Sequence, residues 1–462
     1  MGKRSRGDEV STVAEESAAA AAPAPRPWPK PAYAWYVMAV LIVAYSFAIL
    51  DRSIIGLIVA PMKADLHLTD SQIGLLQGLA FAICYTTFGL IVGVITDRTD
   101  RRALLAGGIF IWSVGTIVCG FADSFMMLFI SRVFVGLGEA CALPVSSSLI
   151  ADFMPPKSRA KAYGLFLLGG TLGTAMGYQV GGRANGIADV VRTFSPPFID
   201  ALANWQISFL VAGVPGILVT AILFFTVREP ERRESSNIKD LSLLPMWNHV
   251  KLNWVPYGTL LTSTCLNVLC IYAQINWAPT FFIRVHGWTP EETSNFLLLS
   301  SLIGATSAFS VGWMMAWLIG KGRADAPMIA CMIHGASSIF LGATAYLVPN
   351  LTLVIVFYLS LSFTSNWSTS AALMGVSQIT PNELRGKLVA VYTLLSGLIS
   401  LSAGAYFVGL LNDKVFPEAT GIKYSLGVVY VVSGGLSCLL IFLGRPAFRA
   451  SVQRALAWTE RT

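Results

Sequence analysis

Runs of roughly 20 apolar residues, each long enough to cross ~30 Å of hydrocarbon as an α-helix, recur twelve times along the chain. They fall at about residues 35–60, 72–95, 103–122, 125–149, 160–182, 205–227, 254–283, 293–319, 326–348, 351–376, 387–411 and 424–444. A transmembrane β-barrel would alternate apolar and polar residues over ~10-residue strands, and these glycine-rich runs do not alternate. Charge content points the same way. Only 12% of residues are charged, where soluble globular proteins carry about 25%, and mean hydropathy is +0.64. The expectation is an all-α, multi-pass membrane protein with twelve transmembrane helices.

The formal net charge of +7 requires no nucleic-acid partner, because the cations sort by side. With the amino terminus placed in the cytoplasm, cytoplasmic segments hold 24 lysines and arginines. The opposite side holds six (Lys63, Arg183, Arg192, Arg284, Lys414, Lys423), leaving Arg52 and Arg132 inside spans. That asymmetry follows the positive-inside rule and predicts both termini in the cytoplasm of an inner or plasma membrane. Residues 1–33, with the Ala18–Ala22 run and several prolines, read as a disordered cytoplasmic tail. The first span is too long for a secretory signal and lacks a cleavage site.

The densest internal charge lies at 228–253 and reads as a linker between bundles at 34–227 and 254–444. Residues 445–462 form a basic tail; Phe448, Val452, Leu456 and Trp458 give it the pattern of an amphipathic surface helix. A duplication shows across the linker: Pro155-x-x-x-Arg159-x-Lys161 follows the fourth span and Pro381-x-x-x-Arg385-x-Lys387 the tenth. Paired six-helix halves of this kind hold substrate between them near the bilayer midplane. The seven cysteines (84, 119, 141, 265, 270, 331, 438) sit in apolar stretches without paired metal spacing. They read as small buried hydrophobes, and no metal or cofactor is expected.

Charge inside the spans is rare. Placing it at mid-bilayer costs at least ~2.5–3.5 kcal/mol, and four acidic or basic residues accept that cost: Asp51, Arg52, Arg132 and Glu139. At ~1.5 Å per residue, Asp51 and Arg132 lie at similar heights on antiparallel spans, with Glu139 two turns beyond Arg132 on the same face. An Asp51–Arg132 pair is therefore expected, with Arg132 poised between Asp51 and Glu139. A carboxyl that gains or loses this arginine as the protein rocks would release or take up a proton in step. A static pair that locks two helices fits the same residues. Arg52 points ~100° away from Asp51, toward helix packing, the interface or substrate.

A second charged cluster, Gly93-Val-Ile-Thr-Asp97-Arg98-Thr-Asp-Arg101-Arg102, is wedged between two apolar runs and must be a short turn. It strongly resembles the loop between the second and third helices of major facilitator superfamily transporters. Arg132-Val-Phe-Val-Gly136-Leu-Gly138-Glu139-Ala140 is similar to the family's fourth-helix motif, whose arginine is linked to proton transfer. Gly164-x8-Gly173-x3-Gly177-Tyr178-x2-Gly181-Gly182 resembles its fifth-helix antiporter motif, with Tyr178 where proline is usual. Leu50-Asp51-Arg52, Gly138-Glu139-Ala140 and Gly177-Tyr178 together are most similar to the Spinster-like branch, whose animal members are linked to export of lysolipids and sphingosine phosphate.

The resemblance implies two six-helix bundles working by alternating access, with Asp51, Arg132 and Glu139 in proton coupling or headgroup binding. It also implies that Asp97 and Arg101, within the turn Gly93, Asp97, Arg98, Arg101 and Arg102, close a cytoplasmic gate. Family members set that aspartate against the positive end of a helix in the other half, as dipole logic favours. Gly173, Gly177, Tyr178 and Gly181 would let helices approach closely.

The second half offers Tyr272, Gln274 and Asn276 on span seven and Asn366 on span ten as cavity-lining groups, beside Arg52, Arg132 and Glu139 as substrate contacts. His334 reads as a packing histidine. One charged wall facing an apolar-aromatic wall suits an amphiphile with a polar head. No zinc spacing, Gly-x-Ser-x-Gly turn or Walker-type phosphate loop occurs, so an ATP-driven pump or an enzyme is not expected. The reading is a monomeric, proton-coupled secondary transporter of a lipid-like or amphipathic organic substrate, with membrane lipids and protons as its other partners. The alternative is a carrier of small hydrophilic organic anions such as sugar acids.

Overall fold

The computed structural model describes residues 28–96, 98–233 and 244–459. Among these the secondary structure is helical, with no strand. In the first half, α1 (Pro31–Leu66), α2 (Asp70–Gln77) with α3 (Leu79–Thr96), α4 (Arg101–Cys119), α5 (Phe125–Glu139) with α6 (Ala142–Phe153), α7 (Pro156–Gly182) and α9 (Asn204–Thr226) make six crossings, and α8 (Ala184–Phe194) is a short connector. After α10 (Leu244–Leu252), the second half crosses six times. Its helices are α11 (Trp254–His286), α12 (Pro290–Gly320), α13 (Ala326–Ser337) joined through a π-helical turn to α14 (Ala343–Leu347), α15 (Leu351–Thr364) with α16 (Trp367–Gln378), α17 (Asn382–Lys414) and α18 (Ile422–Thr459).

Eleven of the crossings are long and apolar enough to span a membrane by length and composition. The other is α7, whose glycines, Thr171, Thr174, Tyr178 and Gln179 dilute its hydropathy. The same glycines explain how it survives in a bundle. Gly173, Gly177 and Gly181 recur every fourth residue and rest on the Ser46, Leu50 and Ile54 carbonyls of α1, which recur every fourth residue too. A Cβ on Gly173 would lie 2.2 Å from the Ser46 carbonyl oxygen, so only glycine permits this approach. Tyr178, next in the motif, turns instead toward the space between the halves.

Local chemistry sets the helix ends. Pro31 occupies the first turn of α1, where its missing N–H costs nothing; the first bundle thus begins three residues before the expected boundary at 34. Asp100 caps α4 by accepting from Ala103 N at 2.8 Å, and Thr289 and Glu292 form a capping box on α12. Residues 244–252, expected within the linker, fold as α10, with Met246 buried and His249 Nε2 3.0 Å from the Ile379 carbonyl. Residues 445–459 also depart from expectation: they continue α18 rather than forming a separate surface helix. Arg445 and Arg449 both pair with Asp325 at the start of α13, and Phe448 and Val452 pack into the second half. Burial by itself would raise the Asp325 carboxyl, but its bonds to the two arginines hold it below the usual carboxylate value. Leu456 and Trp458 are outside the described side chains. The tail expected at 1–33 falls mostly outside the described residues.

Candidate functional site

The charged contacts between the two halves gather at one face of the bundle. This face lies away from the chain ends, where α1 stops at His67 and α11 at His286. There Arg284 of α11 holds Asp70 of α2 in a fork, Nη1 to Oδ2 at 2.7 Å and Nη2 to Oδ1 at 3.0 Å. Asn412 donates to the same carboxylate at 3.0 Å, and Lys63 pairs with it as well. Asp413 of α17 accepts from Asp70 N at 3.1 Å and Ser71 N at 2.7 Å, capping the N-terminus of α2 from the other half. An acid against a helix N-terminus is favoured by exposed N–H groups and the dipole together. Beside this lock, Arg183 reaches Asn295 at 3.2 Å and Glu291 at 3.0 Å, and a Cβ on Gly74 would lie 2.6 Å from the Ala405 carbonyl oxygen. Toward the face bearing the ends, a Cβ on Gly89 or Gly93 of α3, Gly164 of α7, Gly312 of α12, or Gly386 or Gly397 of α17 would meet nothing within 4 Å.

Between these ends lies a cavity of about 380 Å³, within the range of small-molecule sites. The first half contributes Arg52, Gln77, Phe81, Thr171, Thr174 and Tyr178. The second contributes Tyr272, Gln274, Asn276, Ser300, Ser301, Ser362, Ser365 and Asn366 among apolar residues. Tyr272, Gln274, Asn276 and Asn366 all line this cavity. Asn267 and Ser368, on the same two spans, bond to each other at 2.9 Å inside the second half. His334 is buried away from the cavity.

The intramembrane charges form two pairs. Arg132 Nη1 donates to Asp51, whose other oxygen accepts from Thr116 Oγ1 at 2.8 Å; both members are 2% exposed. Arg52 donates to Glu139 through Nε at 2.7 Å and also through Nη2. Its guanidinium lies over Phe81 and Tyr85, 4.2 and 4.5 Å from the ring centroids. Expecting Arg132 between Asp51 and Glu139 is therefore a misreading: Arg52 takes Glu139, and Arg132 serves Asp51. The 100° turn from Asp51 to Arg52 points the second cation at the cavity, while Asp51 faces α4 and α5. Phe81 separates the pairs, with Arg132 5.6 Å from its centroid.

The described side chains of the 93–102 turn bond within the first half and the segment leaving it. Arg101, 1% exposed, donates to Glu229 at 2.7 Å, Ser148 Oγ at 2.9 Å and the Pro230 carbonyl at 3.1 Å, and pairs with Asp152. Arg102 pairs with Asp100 and lies over Phe224, while Arg98 and Gly93 are exposed. Asp97 lies outside the described residues. The cross-half lock sits instead at the opposite face, on Asp70, Arg284 and Asp413. At sequence level, Lys63 and Arg284 were only counted as cations of that side; the one usable signal was the Thr69-Asp70-Ser71-Gln72 helix start.

Two six-helix halves around a central cavity are matched by the Major Facilitator Superfamily model, which aligns with residues 41–405. The chain belongs to this superfamily. It is similar to protein spinster homolog 1 of Mus musculus, 24% identical over 391 residues, covering 79% of this chain and 70% of the relative. It is also similar to a probable galactarate/D-glucarate transporter, GudP, of Bacillus subtilis, 23% identical over 444 residues, covering 88% and 91%. The crystal structure of a bacterial homologue of the human lysosomal transporter Spinster, inward-facing and unoccupied, superposes with a TM-score of 0.80 at 23% identity, covering 92% of this chain and 99% of that one. As a Major Facilitator Superfamily transporter of Spinster-like resemblance, the protein is not an enzyme.

Proposed function

We propose that this transporter couples movement of an amphipathic organic anion to protons, by alternating access between the present state and one open at the other face. The observation that carries the reading is the Arg52–Glu139 pair on the cavity wall, with Glu139 wholly buried and Arg52 21% exposed. A substrate anion entering the cavity competes with Glu139 for Arg52. Glu139 Oε1 already has no hydrogen-bond partner, so a carboxylate released from Arg52 is left charged beside apolar surface and takes up a proton. Asp51 and Arg132, sealed from the cavity, form the second stage, a pair that loosens when α1, α4 and α5 rearrange.

The face bearing the chain ends is assigned to the cytoplasm on its excess of lysine and arginine. An amphiphile is favoured because the cavity reaches the slot between α7 and α12. Leu167 lines it there while 46% exposed, beside Gly170, Gly304 and Ala305. A sugar acid is the second reading, favoured by the hydroxyl-rich wall of Ser300, Ser301, Ser362 and Ser365 and by the likeness to GudP. Uptake of a labelled lysophospholipid beside labelled galactarate into proteoliposomes tests the choice. Lysophospholipid movement is expected; movement of galactarate alone would overturn the amphiphile.

A further inference from the structure

Gln77 is the last residue of α2, just before the break at Gly78. Its side chain lines the central cavity although the residue is only 5% exposed. Neither its Nε2 nor its Oε1 has a hydrogen-bond partner. Buried carboxamides are almost always paired, so one left open on both atoms at a cavity wall marks a place for a ligand. Phe81, just past that break, carries the Arg52 guanidinium over its ring at 4.2 Å, and Gln77, Phe81 and Arg52 line the same cavity.

We propose that Gln77 is a substrate-recognition residue that binds a hydroxyl next to the anionic group held at Arg52. The chemistry follows from what the amide offers. Its Nε2 can only donate and its Oε1 can only accept. A phosphate or carboxylate oxygen satisfies the first alone, and an ammonium the second alone. A hydroxyl answers both, and the Arg52 guanidinium lining the same cavity takes the anion. The carried molecule is therefore a hydroxylated anion, either a lysophosphatidic head group or a free hydroxy acid. Gln77 stands where the cavity ends against the cross-half contact: a Cβ on Gly78 would lie 2.9 Å from both the Leu401 and Ser402 carbonyl oxygens. Occupancy at Gln77 thus bears directly on the seam between α2 and α17 that must open.

The inference rests on the transport reading, so its test is equilibrium binding without any gradient, which coupling failure leaves intact. The full chain in nanodiscs is titrated with two pairs of probes: lysophosphatidic acid and its 2-deoxy analogue, and galactarate and adipate. The wild type should prefer the hydroxylated member of one pair by about tenfold or more, and the responding pair distinguishes lipid from free acid. Gln77→Leu should abolish that preference while leaving affinity for the deoxy member unchanged. Thermal stability should be retained, because an unpartnered amide gives way to an isosteric apolar group. Equal loss for both members, a preserved preference, lowered stability, or no binding of either pair would overturn the proposal.

Discussion

The sealed Asp51–Arg132 pair should hold the first half together far more than the cavity-facing Arg52–Glu139 pair does. Asp51→Ala removes an acceptor for both Arg132 Nη1 and Thr116 Oγ1, and leaves an arginine that is 2% exposed without its counter-ion. Removing one partner of a buried pair costs ~3–5 kcal/mol. The expected loss is therefore ~3–5 kcal/mol. Glu139→Ala differs, since Arg52 is partly exposed to the cavity, where solvent can reach the orphaned cation; its expected loss is about 1–2 kcal/mol. Replacing both members, Asp51→Leu with Arg132→Met, removes the buried charges together and should recover most of the loss, because apolar substitutes of similar volume are often neutral. Denaturant titration of the purified full chain at fixed detergent and lipid reads all four proteins. Equal losses for Asp51→Ala and Glu139→Ala, or a double variant no more stable than Asp51→Ala, would refute the reasoning.

The cross-half lock should respond separately from the cavity. Asp413→Ala exposes the α2 N-terminus and Arg284→Met removes the fork on Asp70, so spin-label distances between positions 66 and 416 should lengthen and broaden; unchanged distances would count against the lock. For Asp325, the folded carboxyl lies below its unfolded value, so its stabilisation is present above the ordinary carboxylate range, near pH 4. It is lost as pH falls through the lower folded value, so Asp325→Asn should be less stable than wild type from pH 7 to about pH 5, with the gap closing below about pH 4. A gap that changes between pH 7 and 5 would contradict this. Gly173→Leu drives a side chain into the Ser46 carbonyl and should cost more than ~3 kcal/mol or abolish expression, whereas Gly164→Leu, in open space, should be tolerated; similar yields of the two would contradict the α1–α7 packing.

The crossings were legible because hydrocarbon enforces length and apolarity, and α7 was legible despite its low hydropathy because its glycine spacing is itself a packing signal. The Asp51–Arg132 pair could be read from rarity and depth: four charges in twelve spans leave few partners. Arg52 could not, since one residue of helix rotation decides between lipid, packing and cavity, and only the placement of Phe81, Tyr85 and Glu139 resolves it. Asp70 and Asp413 lie at helix ends among solvated charges, where sequence cannot tell a gate from a cap. Ser300 and Ser362 were equally silent, because helical serines commonly bond their own backbone; Ser362 does so, to Tyr358 O at 3.0 Å, while also facing Ser300 at 2.8 Å.

Proton coupling through Glu139 is tested most directly by uptake of labelled lysophosphatidic acid and of galactarate into proteoliposomes with and without an imposed pH gradient, wild type against Glu139→Gln. Accelerated uptake of the carried substrate under the gradient in wild type, with gradient-independent exchange alone surviving in the variant, is the expected result. A variant that still responds fully to the gradient would contradict the competition between substrate and Glu139 for Arg52.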